Sequence, residues 1–185
     1  MNSELPTPSG SVHWHLGPII DALRTSREST HNIRHHGRVR ELPSREVLTQ
    51  RVNGVSAGGF PTHYGRPDLN DESIDFFVGD TLGVALDRLV GQVRRALRFS
   101  PQFTDADETG LAERAEAITR EFAASLPGIR ALLVSDVQAA MAGDPAASSV
   151  AEIMLCYPGT IAILYHRLAH CLHRLGGAFL GGLGG

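Results

Sequence analysis

Apolar residues recur every three or four positions through most of this chain, and nowhere do they alternate over the length of a strand. That period gathers them on one face of a helix. The first clear stripe is Val47, Leu48, Val52 and Val55, with Ser44 as N-cap and Ala57-Gly58-Gly59 as the stop. Phe60 to Asp68, FPTHYGRPD, reads as a loop, because two prolines and a glycine oppose regular helix. The longest stripe runs from about Asp71, a candidate cap, to Phe99, and carries Ile74, Phe77, Val78, Leu82, Leu86, Leu89, Val90, Val93 and Leu97. Gly79, Gly83 and Gly91 within it either permit a close helix crossing, mark a kink, or each cost ~1 kcal/mol relative to alanine. Ser100-Pro101 terminates the run.

Asp105 or Asp107 opens the next helix, with Leu111, Ala115, Ile118 and Phe122 inward. Pro127 reads as the start of another, since a first turn needs no N–H there. Its stripe is Ile129, Leu132, Leu133, Val137 and Met141, and Gly143 ends it. Ser148 or Ser149 caps a short helix with Val150, Ile153 and Met154. Pro158 opens the last helix, with Ile161, Leu164, Leu168, Leu172 and Leu175 on one side. No dipeptide suggests a two-residue hairpin, and no hexapeptide repeat of the [LIV]-G-x-x-x-x kind occurs. The expected fold is all-α, an irregular multi-helix bundle with no left-handed β-helix domain.

Residues 1–43 read as a flexible basic extension, 44–175 as the helical domain, and 176–185 as a Gly-rich tail. Within the extension a short helix is expected from Pro18, with Ile19, Ile20 and Leu23 apolar, and HNIRHHGRVR (31–40) reads as a solvated linker. An RNA-binding arm would interleave aromatics for base stacking, and this segment has none. The 17 basic residues, all arginine, against 20 acidic ones give a net charge of −3, which is no footprint for nucleic acid. Cys156 and Cys171 form no disulfide framework and suit a reducing cytoplasm; Cys156 reads as a buried small hydrophobe. The N-terminus has neither the basic start nor the apolar run of a signal peptide, and no apolar stretch is long enough to span a bilayer.

Two groups of residues invite chemistry. His166, His170 and His173 stand at i, i+4 and i+7 and share a helix face, a spacing that can bind zinc if a further ligand completes the site. Cys171 lies about 100° away from His170 around the helix. The alternative is that these histidines pack at a helix interface or bond to nearby backbone. Asp144 precedes Pro145 and is therefore biased towards an extended conformation. A carboxylate on such a turn either presents itself to an amine or caps the start of the next helix. No G-x-S-x-G, P-loop or dinucleotide-binding glycine motif occurs.

The blocks ELPSRE, FPTHYGRPDLNDESIDFFVG (60–79), ALDRLVGQVRRALRF (85–99), SLPGIRALLVSDVQAAMAGDPA (125–146) and CYPGTIAILYHRLAHCLHRLG (156–176) follow one another from about Leu42 to Gly176. In that order they resemble the amino-terminal helical domain of bacterial serine O-acetyltransferases. The resemblance implies an acyltransferase of cysteine biosynthesis that moves acetyl from acetyl-CoA to L-serine. It implies that the helical domain assembles a homo-oligomer, and that Asp144, in the family's D-P-A motif, holds the substrate's amino group. His170 matches a histidine of the family's final helix, and it and His166 are expected to have structural or supporting roles. His173 stands where an aromatic is common and Cys171 where an acid is common. The family's catalytic histidine belongs to a D-I-H-P-G-A motif that these 185 residues do not contain. Nor do they contain the hexapeptide coils that bind coenzyme A, or the tail that docks cysteine synthase.

The expectation is therefore a cytoplasmic family member truncated before its β-helix, inactive alone, with no catalytic residue, no bound cofactor and no metal. It would have no nucleic-acid or membrane partner, and would associate through apolar surface near Ile161 to Leu180. The alternatives are a non-catalytic helical oligomerisation module and a histidine-rich metal-binding bundle.

Overall fold

The computed structural model describes residues 16–30, 34–35, 38–39, 42–98, 100, 103 and 107–176. They form an all-α fold in two units divided between Glu41 and Leu42. Most of the expected extension and nearly all of the Gly-rich tail lie outside the described residues.

In the first unit, α1 spans Leu16–Thr30, longer than the short helix expected from Pro18. Pro18 fits because it sits in the first turn, where its missing N–H has no helical partner to lose. Leu16, Ile19, Ile20 and Leu23 fall at i, i+3, i+4 and i+7, and all are exposed. The linker 31–40 contains a strand pair that the sequence pattern did not suggest. β1 (Arg34–His35) and β2 (Arg38–Val39) are antiparallel, in the register Arg34 to Val39 and His35 to Arg38. Strands of two residues are too short for alternation to register.

The second unit is built on α2 (Arg45–Gly59), α4 (Ile74–Leu97), α5 (Glu108–Gly143) and α7 (Pro158–Arg174), with the shorter α3 (Pro61–Tyr64) and α6 (Val150–Cys156). Ser44 caps α2 as expected: its Oγ accepts from the Val47 N–H at 3.3 Å. The Ser44 N–H in turn donates to Oε1 of Gln92, a buried side chain of α4, at 2.9 Å. Gln92 thus has its polar atom satisfied and fastens the start of α2 to α4.

Phe60–Asp68 is not wholly loop. Pro61 occupies the first position of α3, where proline is tolerated, and one turn forms before Gly65. Its Tyr64 reaches α6, donating its hydroxyl to the Met154 carbonyl at 2.7 Å. α4 begins at Ile74, three residues later than Asp71, because Asn70 closes the turn: its Oδ1 accepts from the N–H groups of Glu72 (3.1 Å) and Ser73 (3.0 Å).

Close approach is supplied by glycines other than those singled out in α4. A Cβ on Gly54 would lie 3.1 Å from that of Ala85, and one on Gly58 only 2.6 Å from Cγ of Leu82. At Gly79, Gly83 and Gly91 a Cβ would meet nothing within 4 Å. Gly58→Ala should therefore destabilise by about 1–3 kcal/mol through overpacking. Gly83→Ala should stabilise by about 0.5–1 kcal/mol through backbone entropy. Urea denaturation of the two variants reads out the opposite signs.

Asp107 starts α5, with Oδ1 accepting from the Gly110 N–H at 2.7 Å. The helix then runs 36 residues straight past Pro127, which was expected to open a new one. Proline inside a helix removes one hydrogen bond and costs about 3 kcal/mol. Here Ile118 and Phe122 before it, and Ile129, Leu133 and Val137 after it, are all buried, so burial on both sides of the proline offsets that cost. α4 packs on α2 and α5, and α5 on α7. The centre of the core is Val93, Leu97, Ile118, Phe122, Ile153 and Leu168. Arg167 of α7 grips Asp136 of α5 with two parallel bonds of 2.8 Å, which hold the guanidinium above its already high pKa. Tyr165 donates its hydroxyl to Asn53, tying α7 to α2. No helix among the described residues is long and apolar enough to cross a membrane.

Candidate functional site at the turn between α5 and α6

Asp144 follows Gly143, the last residue of α5, with φ −111° and ψ 104°, the extended conformation that Pro145 demands. Its N–H still donates to the Ala140 carbonyl at 3.0 Å, so the residue closes the helix with its backbone and leaves the carboxylate for other work. Oδ1 accepts from the Ala146 N–H at 2.9 Å, and Oδ2 from the Tyr157 hydroxyl at 2.7 Å. Two donors fix a half-buried carboxylate at the surface.

The same bonds set the electrostatics. The Tyr157 hydroxyl, then the Ala146 amide, hold the Asp144 carboxyl below its usual range. Reciprocally, the bond to Asp144 and desolvation push Tyr157 up to about 12. Nearby, Ser149 caps α6 by accepting from the Glu152 N–H at 3.1 Å. Glu152 reaches back to the Ser148 hydroxyl (2.5 Å) and N–H (2.8 Å), bonds that lower its pKa. The loop thus carries two ionised carboxylates, close enough that Asp144 opposes the ionisation of Glu152. Such a pair suits a cationic group.

Asp144 does not cap α6; Ser149 does. The capping alternative for Asp144 is therefore corrected: its side chain braces the turn through Ala146 and Tyr157. Glu152 and Tyr157 were missed by sequence reasoning. Ser149 and Glu152 do show the S-x-x-E spacing of a capping box, a signal that was available. Tyr157 lies thirteen residues from Asp144, with no local pattern to connect them.

A pH prediction follows from the shared bond. Asp144 has a folded pKa below its unfolded one, so its stabilising contribution is present above pH ~4 and is lost as pH falls through the lowered value. Tyr157 has a raised pKa, so its contribution holds below pH ~10 and is lost as pH rises through about 12. Tyr157→Phe should return the Asp144 pKa towards the ordinary carboxylate range, measured by carboxyl-carbon NMR titration.

The histidines do not pack at a helix interface. His166, His170 and His173 are exposed, because Leu164, Leu168 and Leu172 take the inward face of α7. The rings of His166 and His170 stack, 5.9 Å apart at 11°. Among the described residues no group of three or more His, Cys, Asp or Glu side chains is placed to hold a metal ion. Cys156 is exposed, not buried: it ends α6 on the solvent side, while Ile153 and Met154 fill the core.

No family model matches the chain. Over 169 residues it is 43% identical to the protein named serine acetyltransferase, plasmid, of Synechococcus elongatus, an alignment that covers 88% of this chain and 52% of the relative. It is 47% identical over 45 residues to a serine acetyltransferase of Mycobacterium tuberculosis, covering 24% of this chain and 20% of the relative. It is 43% identical over 44 residues to one of a Synechocystis species, covering 24% and 18%. The chain is a homologue of the serine acetyltransferases, and it spans about half the length of the Synechococcus relative.

Proposed function

We propose that these residues form the helical half of a serine O-acetyltransferase, which transfers acetyl from acetyl-CoA to L-serine. The observation that carries this reading is the 43% identity over 88% of the chain. Asp144 is the residue we assign to substrate: a braced, ionised carboxylate at the surface matches the ammonium of serine. Acetyl-CoA is the co-substrate of the whole enzyme, and its binding falls to portions of the enzyme that these residues do not span. We assign the protein to the cytoplasm, a place that the free cysteines Cys156 and Cys171 suit. Self-association through the helical domain is supported by Leu155, Ile161 and Ile163, apolar side chains that are 53%, 41% and 41% exposed.

The test is reconstitution. Residues 1–175 joined to the β-helix portion of a serine acetyltransferase should release thiol from acetyl-CoA in a serine-dependent, saturable manner. The 185-residue chain alone should not, since nucleophile activation by a positioned base is missing from it. A folded fusion without turnover would favour a non-catalytic oligomerisation module. Serine-dependent turnover by the chain alone would show that the chemistry resides in the helices.

A further inference from the structure

Between α2, α4, α5 and α7 lies a cavity of about 470 Å³, within the range of small-molecule sites. Val55, Leu82, Leu86, Leu133 and Leu168 give it apolar walls. Its polar groups are few and of opposite kind. Arg130 of α5 lines it, with Nε donating to the Gly59 carbonyl at 2.8 Å and the guanidinium 5.1 Å from the centre of the Phe60 ring. These contacts fix the side chain and occupy one nitrogen, leaving its terminal nitrogens for an acceptor. Asp75, in the first turn of α4, also lines the cavity. Among the described residues neither Arg130 nor Asp75 has an ion-pair partner, and they are not paired with each other. A third polar feature comes from the backbone. Pro127 has no N–H to give the carbonyl of Ala123, four residues earlier, and both residues line the cavity.

A cation and an anion therefore line one apolar space, at a place where the hydrogen-bond ladder of α5 is interrupted by Pro127. A fatty acid would satisfy Arg130 and leave its carboxylate beside Asp75; an alkylamine would do the reverse. We propose that this cavity binds an apolar zwitterion, an amino acid or dipeptide with a bulky apolar side chain. Its carboxylate sits on Arg130 and its ammonium on Asp75 and the Ala123 carbonyl. The side chain lies between Leu82, Leu86 and Leu168, where burial of apolar surface supplies the driving force. Polar zwitterions such as serine are rejected, because their side chains would be desolvated there without partners.

The experiment is calorimetric titration of the 185-residue chain with five probes: L-phenylalanine, L-leucyl-L-phenylalanine, 3-phenylpropionate, phenethylamine and L-serine. Saturable binding of phenylalanine, the dipeptide, or both is expected, and which of them binds identifies the source. The two single-charge analogues should bind at least about tenfold more weakly, and serine not measurably. Arg130→Gln and Asp75→Asn, both at exposed positions, should each weaken the bound zwitterion about tenfold while leaving the far-ultraviolet circular dichroism unchanged. Equal affinity for phenylalanine and its single-charge analogues would overturn the proposal, as would affinity indifferent to both substitutions. Absence of binding by both zwitterions would also overturn it. So would sedimentation showing that a second copy of the chain occupies the groove.

Discussion

In the reconstituted enzyme, Asp144→Ala is expected to lower kcat/KM for serine about 10- to 100-fold, the loss that follows when a charge-assisted contact is removed. The KM for acetyl-CoA should hardly move, because the lost group addresses only the amine. The same substitution in the 185-residue chain should shift thermal unfolding only slightly, since Asp144 sits at the surface and its bonds to Ala146 and Tyr157 brace a single turn. Asp144→Asn is the informative companion: it deletes the charge and keeps one acceptor oxygen, which still serves the Ala146 N–H, while its amide nitrogen can donate to the Tyr157 hydroxyl oxygen where the carboxylate accepted from it. If Asn restores serine use fully, the charge has no role. If Ala leaves the serine dependence intact, Asp144 is a turn residue alone and the substrate assignment fails.

The largest stability effect is expected at Phe122. Its ring is 2% exposed, and it is the largest of the fully buried side chains. Phe122→Ala deletes that volume from a packed interior and leaves a cavity, at a cost of about 3–5 kcal/mol. Phe76, one of the other phenylalanines, is 82% exposed on α4, and its replacement by alanine should change stability by less than about 0.5 kcal/mol. Urea denaturation of the two variants side by side measures the contrast. Similar midpoints for both would mean that Phe122 is not at the centre of the core.

Much of this was legible before the structure. Ser44, Asp107, Ser149 and Pro158 were readable as helix starts because a cap acts within three residues of itself, so its evidence lies in adjacent sequence. The buried stripes on α4 and α7 were readable because one helix face obeys one period. For the glycines of α4 the sequence left a helix-propensity cost, a close crossing and a kink all open. A Cβ on Gly79, Gly83 or Gly91 would meet nothing within 4 Å, so the crossing reading falls and the cost reading fits, while Gly54 and Gly58 are where α2 meets Ala85 and Leu82. Which glycine is needed depends on a partner helix about thirty residues away.

Local sequence thus determined the all-α class, the caps at Ser44, Asp107 and Ser149, the extended turn at Asp144 and most of the inward faces, since each follows from backbone sterics or helix periodicity within a few residues; Asp71 is not the cap of α4, and Leu132, Val150 and Ile161, expected on the inward stripes, are exposed. The tertiary structure decided that α5 continues through Pro127, because buried contacts on both sides of the proline offset a local penalty. It decided that Cys156 and the three histidines face outward, because Ile153, Met154, Leu164, Leu168 and Leu172 fill the interior first. And it alone joined Tyr157 to Asp144, and Arg130, Asp75 and Pro127 around one cavity. Hydrogen bonds and charges act through space, and only the packed chain brings such residues within their reach.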